Sequence, residues 1–144
     1  EAIARNLFEM SALKVPVVCT VIGEGCSGGA LGIGVGDKLL MLQYSYFATI
    51  SPEGCATILH KTAEKASEIT QMMNITSARL KELEIVDDVI SEPLGGAHRD
   101  YITTADNIRQ TLVKELKELN VMSVEDRNSK RYDKLMSFGQ FKEN

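Results

Sequence analysis

Apolar residues recur along the chain with two spacings, one helical and one extended. Residues 2–13 carry them at helical spacing, which predicts an amphipathic helix that ends before Pro16. Residues 15–22 are almost continuously apolar and rich in β-branched side chains, a composition typical of a strand buried on both faces of a parallel sheet. A glycine-rich loop follows, and residues 30–35 are then predicted to form a short, tightly packed helix.

The rest of the chain continues the alternation of strands and helices. Ser51, Pro52 and Glu53 form a typical helix start, with a capping serine, a proline at the first position and an acid in the first turn. The remaining predicted strands cover residues 39–43, 46–50 and 85–90, and the remaining predicted helices cover 52–60, 63–73, 77–83, about 104–119, and a segment from Ser123 towards Gly139. This alternation predicts a layered α/β or α+β domain.

Length and charge limit the possible functions. With 144 residues and 44% hydrophobic positions, the chain has enough apolar material for the core of one ordinary domain. The formal net charge of −4 gives no basic surplus for binding nucleic acid or an anionic membrane, and no apolar run approaches the length of a membrane span. No secretory signal is visible, and the chain starts at Glu1 directly before a predicted helix, so we expect it to be a segment of a longer polypeptide.

The cysteines indicate a reducing compartment. Cys19, Cys26 and Cys55 are odd in number and show no Cys-x-x-Cys spacing, which argues against a disulfide framework or a zinc ribbon. We therefore expect free thiols in a cytoplasmic protein and no metal site. Cys19 alternates with valines in a predicted strand and should pack in the core, whereas Cys55 follows a helix start and has no identifiable base.

Glycine is concentrated in one part of the chain. Of the 11 glycines, seven lie in the 14-residue window from Gly23 to Gly36, directly after the first predicted strand. The window matches two well-known sequence patterns and also supports a third hypothesis that depends on the backbone alone.

The first pattern is G-x-G-x-x-G, formed by Gly23, Gly25 and Gly28 between a predicted strand and a predicted helix. In dinucleotide-binding domains such glycines let the backbone approach a pyrophosphate at a helix N-terminus. That hypothesis also requires an acidic residue about 20 positions later to bind a ribose hydroxyl. The corresponding position is Ala48, so the sequence disfavours dinucleotide binding.

The second pattern is G-x-S-x-G at residues 25–29, which makes Ser27 a candidate nucleophile. Asp87 or Asp88 and then His98 follow in the chain order of α/β-hydrolase triads. The short spacing between acid and histidine leaves no room for an intervening helix, and no second loop for an oxyanion hole is evident. A Ser27-dependent hydrolase is therefore the weaker alternative.

The third hypothesis assigns the chemistry to the backbone of Gly28 and Gly29. These residues stand where a buried strand turns into a helix, so their N–H groups are among the unpaired donors of the first turn. Two such groups form an oxyanion hole, and the absence of a Cβ leaves room for the ligand oxygen. Of the other glycines in the window, Gly32, Gly34 and Gly36 are expected to allow close helix packing, and Gly23 and Gly25 to shape the approach.

Five separated motifs carry a family resemblance. They are residues 17–37 (VVCTVIGEGCSGGALGIGVGD), 50–56 (ISPEGCA), 79–83 (RLKEL), 92–99 (EPLGGAHR) and 130–132 (KRY). In this order they resemble the α subunits of bacterial acetyl-CoA carboxylase carboxyltransferases. The resemblance covers nearly the whole chain and corresponds to the C-terminal half of that subunit.

The resemblance implies a fold, an activity and a set of partners. The fold would be α/β, crotonase/ClpP-like, with residues 1–144 as the C-terminal part of a single carboxyltransferase domain and a helical region from about residue 104. The activity would be transfer of a carboxyl group from carboxybiotin to acetyl-CoA, giving malonyl-CoA in the first committed step of fatty acid biosynthesis. The partners would be a β subunit in an α2β2 heterotetramer, a carrier protein that holds the biotin, and an ATP-dependent biotin carboxylase. The zinc of these enzymes would belong to the β subunit.

The resemblance also gives Gly28 and Gly29 a specific role. They would hold the ureido oxygen of biotin, while a similar pair in the β subunit would hold the thioester enolate. Decarboxylated biotin would itself be the base, which accounts for a sequence with no conspicuous general base. A site made of backbone amides leaves position and anion stabilisation to the protein.

The remaining candidate binding residues lie in two motifs. Gly25, Cys26 and Ser27 are expected to line the substrate and biotin site, and Cys26 stands where many family members have glycine. His98 and Arg99 are expected to contact an anionic group such as a CoA phosphate, although a role in stabilising the turn fits them equally well.

Other polar and sulfur-containing residues have simpler explanations. His60 is expected to be a solvated or C-capping histidine, and residues 114–118 to be a solvated helix face. Met72 and Met73 are expected in the core. The non-catalytic alternative for the whole chain is a crotonase-like fragment that serves only as an assembly surface.

Overall fold

The computed structural model describes residues 1–139, which form seven α-helices and five β-strands. The helices are α1 (Ala2–Ser11), α2 (Ser27–Ile33), α3 (Pro52–His60), α4 (Ala66–Met72), α5 (Ser77–Glu82), α6 (Tyr101–Asn120) and α7 (Val124–Met136). The strands are β1 (Val18–Val21), β2 (Glu24–Cys26), β3 (Lys38–Leu42), β4 (Tyr46–Ala48) and β5 (Asp88–Ile90). A 3-10 turn at Ala63–Lys65 precedes α4.

The core is built around a parallel sheet with the strand order β1-β3-β5. Its central strand, β3, is buried from Leu39 to Leu42, as expected for a continuous apolar strand covered on both faces. Alternate side chains face opposite layers. Leu39 and Met41 pack with Leu80 and Val86, whereas Leu40 and Leu42 pack with Ile90 and are covered by residues Ile108 and Leu112 of α6.

The first strand differs from its prediction. Residues 15–22 were expected to be buried on both faces, but the strand covers only Val18–Val21 and its residues are half-buried, because β1 lies at the edge of the three-stranded sheet. Cys19 packs against the core cluster, and its thiol donates to the carbonyl of Ile33 at 3.1 Å. Burial raises the pKa of the Cys19 thiol above its ordinary value.

The glycine window contains a strand that the sequence did not predict. Residues 24–26 form β2, which pairs in parallel with β4. The helix predicted over residues 30–35 starts three positions earlier, at Ser27. Gly28 and Gly29 therefore lie in the first turn of α2, where the sequence analysis placed their N–H groups.

Helix starts follow the predicted caps where the sequence offers a clear one. Ser51 accepts from the N–H of Gly54 at 3.2 Å, and Ser123 accepts from that of Asp126 at 3.0 Å. The helix predicted over about 104–119 begins earlier because Asp100 is its N-cap and accepts from Thr103 at 2.9 Å.

One predicted solvated face is partly wrong. Within residues 114–118, Glu115 is only 2% exposed and forms an ion pair with Lys38 at 3.0 Å. Lys114 pairs with the other oxygen of the same carboxylate at 3.2 Å and stays exposed. Of the two methionines predicted in the core, Met73 is half-buried but Met72 is 62% exposed.

Helix α7 is attached to the rest of the chain by a buried arginine. Arg131 donates hydrogen bonds from Nη2 and Nε to the two carboxylate oxygens of Asp37, at 2.8 and 2.9 Å. Its other N–H groups reach the carbonyls of Met10, Leu13 and Val15 at 2.9 to 3.1 Å. The segment between α1 and β1 is thus held by one side chain whose hydrogen-bonding groups are all satisfied.

The membrane question has a direct structural answer for the described part of the chain. Across residues 1–139, no helix combines the length and the apolar character needed to cross a membrane.

Candidate functional site

The glycine pair lies at the uncapped start of α2. Cys26 occupies the N-cap with extended backbone, and its side chain makes no capping hydrogen bond. The first N–H groups of a helix have no partner within the helix and lie at the positive end of its dipole. At this helix start, no side chain of the described residues caps them, so they are available to an oxygen acceptor.

The two glycines have different surroundings. A Cβ on Gly29 would have no atom within 4 Å, so the space above this residue is open. A Cβ on Gly28 would lie 3.3 Å from Cδ1 of Ile3 in α1. The absence of a side chain therefore leaves room for a ligand at Gly29 and for a neighbouring helix at Gly28.

Ser27 is the first residue of α2 and is conformationally strained. Its φ is +59°, a left-handed conformation that costs an L-residue free energy, and its side chain is exposed. Strain at this position is also found in the nucleophile turns of α/β-hydrolases. Whether Ser27 can act as a nucleophile therefore depends on whether an acid and a histidine lie within hydrogen-bonding distance.

The residues of the predicted triad are used elsewhere. Asp87 accepts from the backbone N–H of Leu39 at 2.6 Å and forms an ion pair with Lys134. Asp88 lies 3.6 Å from the ammonium of Lys81. Among the hydrogen bonds of residues 1–139, none joins Ser27, His98 and either aspartate, so the structure does not assemble a Ser–Asp–His triad.

The dinucleotide hypothesis also fails on geometry. Gly25 lies within β2, where a Cβ would come within 2.9 Å of the Phe47 side chain and 3.0 Å of Val21. Packing against these two side chains therefore requires a glycine at position 25. The residues after β3 are Gln43, Tyr44 and Ser45, so no acid stands at the end of that strand.

Two cavities adjoin the start of α2. One, of about 370 Å³, runs along β1 and is lined by the glycine loop, including Gly25 and Cys26. The other, of about 490 Å³, is mainly apolar and extends from Ser27 and Gly28 to Cys55 in α3. Of the predicted site residues at positions 25–29, the first four each line one of these cavities, and Gly29 is exposed next to them.

His98 and Arg99 lie in a separate loop. They follow β5, after a turn in which Gly95 and Gly96 have φ values of +90° and +100° that favour glycine. Both side chains are exposed, and neither lines the two cavities beside α2. His60 is exposed at the end of α3, as expected for a solvated histidine.

Comparison with known proteins establishes the family. Residues 1–139 match the family model described as acetyl co-enzyme A carboxylase carboxyltransferase-like. The chain belongs to this carboxyltransferase family. The family predicted from the five sequence motifs is confirmed.

Curated relatives of this carboxyltransferase chain are very similar. It is 85% identical over 143 residues to the acetyl-coenzyme A carboxylase carboxyl transferase subunit alpha of Francisella philomiragia, and 84% identical to that of Francisella tularensis subsp. novicida. Each alignment covers 99% of this chain and 45% of the relative. The chain thus spans slightly less than half the length of these subunits.

Solved structures confirm the predicted crotonase-like carboxyltransferase fold. A Pseudomonas malonate decarboxylase hetero-tetramer in complex with coenzyme A matches with a TM-score of 0.67 and 13% identity, over 94% of this chain and 57% of the other. The transcarboxylase 12S structure with methylmalonyl-coenzyme A bound matches with a TM-score of 0.62 and 21% identity, over 81% and 22%. At these identities the similarity concerns the fold.

Two residues with important contacts in the carboxyltransferase chain were quoted in motifs without a role. Glu92 accepts from the N–H of Tyr44 at 2.9 Å and from that of Ala97 at 2.7 Å, so it joins the ends of β3 and β5 to the following loop. The second residue is Arg131, which binds Asp37 and the carbonyls before β1. The sequence signals were weak: Glu92 stands two residues after a strand, and Arg131 shares its helix face with Arg127 and Lys134.

Proposed function

We propose that the chain forms part of the α subunit of acetyl-CoA carboxylase carboxyltransferase, which transfers a carboxyl group to acetyl-CoA and gives malonyl-CoA, the first committed step of fatty acid biosynthesis. This proposal rests on the 85% identity, over 99% of the chain, to a curated subunit of that name. The proposed setting is the cytoplasm, in an α2β2 heterotetramer with the β subunit. The biotin carrier protein and the ATP-dependent biotin carboxylase complete the enzyme, and its zinc is assigned to the β subunit.

The start of α2 suits the biotin group of the carrier. Its N–H groups are uncapped, they lie at the positive end of the helix dipole, and the space above Gly29 is open. Bound biotin supplies the carboxyl group that is transferred. Gly28 and Gly29 donate hydrogen bonds to its ureido oxygen, and donors fixed in this way need no reorganisation during the reaction.

The neighbouring residues define the approach to these donors. Gly25, Cys26 and Ser27 line the cavities beside the start of α2, and the larger cavity is mainly apolar. His98 and Arg99 are proposed as contacts for an anionic group such as a CoA phosphate, which their exposure permits.

The proposed function can be tested by adding a single methyl group at position 29. In the full-length subunit assembled with the β subunit, Gly29→Ala is expected to fold normally, because the added Cβ meets no atom within 4 Å. The methyl group blocks the oxygen's approach, so malonyl-CoA formation should fall by about 10²–10³, the usual effect of losing one such donor.

The control is a measurement of assembly and folding. Because a Cβ at Gly29 meets no atom within 4 Å, Gly29→Ala should assemble with the β subunit and melt at the temperature of the wild-type enzyme. We expect the α subunit without its β partner to have no activity. Wild-type activity of Gly29→Ala in the assembled enzyme would reject the proposed role of the glycine pair.

A further inference from the structure

Where α1 packs against α2, one side chain of α1 lies in a groove formed by two glycines of α2. Ile3 faces Gly28 and Gly32, which are four positions apart and therefore on one face of the helix. A Cβ on Gly28 would lie 3.3 Å from Cδ1 of Ile3, and a Cβ on Gly32 would lie 3.1 Å from its Cγ2. Ile3 therefore occupies the space that two side chains would otherwise fill.

The far end of α1 is fixed independently. Arg131 binds the carbonyls of Met10 and Leu13, and Arg127 binds the carbonyl of Lys14. Arg131 and Arg127 are only 2% and 4% exposed, so the arginine side of these contacts is buried. With its C-terminal end held in this way, α1 is a fixed support for α2.

The first turn of α2 is supported by the strand before it and by one neighbouring side chain. The chain enters α2 directly from β2, whose last residue, Cys26, pairs with Ala48 of β4. Beside the turn, Ile3 supplies the atoms that would lie within 4 Å of a Cβ at Gly28. At the other end of α2, the Cys19 thiol donates to Ile33, and Phe47 lies next to Gly34. The strand fixes where the helix begins, and Ile3 limits how its first turn can tilt.

We propose that Ile3 is a positioning residue for the carboxyl transfer reaction, acting through the Gly28–Gly32 groove to orient the first turn of α2. This inference rests on the proposed function of the Gly28 and Gly29 N–H groups. A displaced turn would aim these donors away from the oxygen, and displacement of reacting groups by about 1 Å can reduce rates a hundredfold. Ile3 itself does not touch the substrate.

The test adds a methyl group at Gly32, one helical turn from the donors. In the assembled full-length enzyme, Gly32→Ala pushes Ile3 outward, and kcat per assembled heterotetramer is expected to fall about tenfold or more. Ile3→Ala, which removes the side-chain atoms that face Gly28 and Gly32, should also lower kcat. KM for acetyl-CoA should change little in both variants.

A change in the core separates positioning from destabilisation. Leu119→Ala removes a side chain of α6 that is only 3% exposed and that lies outside the contacts of α1 and α2 described above. It should lower the melting temperature while leaving kcat of the assembled enzyme unchanged. If Gly32→Ala does not assemble, Ile3→Ala and Ile3→Val replace it, and only the alanine variant should lose kcat.

The outcomes distinguish the two proposals. Full kcat in an assembled Gly32→Ala or Ile3→Ala variant overturns the positioning role and leaves the glycine donors intact. Full activity of Gly29→Ala overturns the donors themselves.

Discussion

At the scale of single residues, Ser27 permits a direct test of backbone strain. With φ at +59°, replacement by glycine relieves the strain, whereas replacement by alanine keeps it. We expect Ser27→Gly to exceed Ser27→Ala in unfolding free energy by about 1 kcal/mol, the reverse of the usual order at helical positions. Urea unfolding of the full-length subunit measures the difference. Carboxyl transfer should persist in Ser27→Ala, since no hydrogen bond within residues 1–139 pairs the Ser27 hydroxyl with a base.

Glu84 provides the matched control for that comparison. It also has a left-handed backbone, with φ at +59°, and it is exposed after the end of α5. Glu84→Gly should likewise be more stable than Glu84→Ala. An ordinary order at both positions, with alanine the more stable, would show that neither backbone is strained in solution.

The glycine window shows which residue properties a sequence reveals. The concentration of glycine predicted a backbone site, but it did not distinguish a glycine that faces open space from one that faces Ile3. That difference depends on how α1 lies against α2, which no local pattern encodes. Gly25 was likewise assigned to the approach, whereas a Cβ there would come within 2.9 Å of Phe47.

At the scale of secondary structure elements, α7 depends on Arg131. This side chain is 1% exposed and pairs with Asp37, which is 3% exposed. Removing one partner of a buried ion pair leaves an uncompensated charge and costs about 3–5 kcal/mol. We therefore expect Arg131→Gln to lose about that much unfolding free energy in urea titrations, and Arg131→Lys to recover only part of it, because lysine cannot donate to both carboxylate oxygens and three carbonyls.

The neighbouring Lys130 is the control for α7. It is exposed on the same helix, so Lys130→Gln should change the unfolding free energy by less than about 0.5 kcal/mol. Equal losses in the two variants would mean that the Arg131 contacts contribute nothing specific to stability.

Element boundaries followed the sequence where local chemistry determines them. Ser51 with Pro52 and the capping Ser123 gave the starts of α3 and α7 correctly, since a cap acts over three residues. Burial was predicted less well, because it depends on neighbours that are distant in sequence. Residues 15–22 and β3 are similarly apolar, but only β3 has a strand on both sides.

At the scale of the whole molecule, ion pairs join the last two helices to the start of the central strand. Arg131 of α7 pairs with Asp37, and Glu115 of α6 pairs with Lys38. Burial lowers the pKa of Lys38, but the hydrogen bond and charge of Glu115 outweigh it, so this pKa is raised above 10.5. Helices α6 and α7 are therefore attached to adjacent residues, and their attachment depends on charge.

Glu115 makes this attachment sensitive to acid. Burial raises the pKa of its carboxyl, but hydrogen bonds and charges from Lys38 and Lys114 outweigh burial and hold the pKa below its ordinary value of 4.5. A carboxyl with a lowered pKa contributes stability that is complete above its unfolded value and is lost as the pH falls through its folded value. We expect the unfolding free energy of the wild-type subunit to fall more steeply below pH 4.5 than that of Glu115→Gln. Urea titrations at stepped pH measure both slopes. Glu118→Gln, an exposed change on the same helix, should keep the wild-type slope, and a wild-type slope in Glu115→Gln would show that this carboxylate does not link acid to the fold.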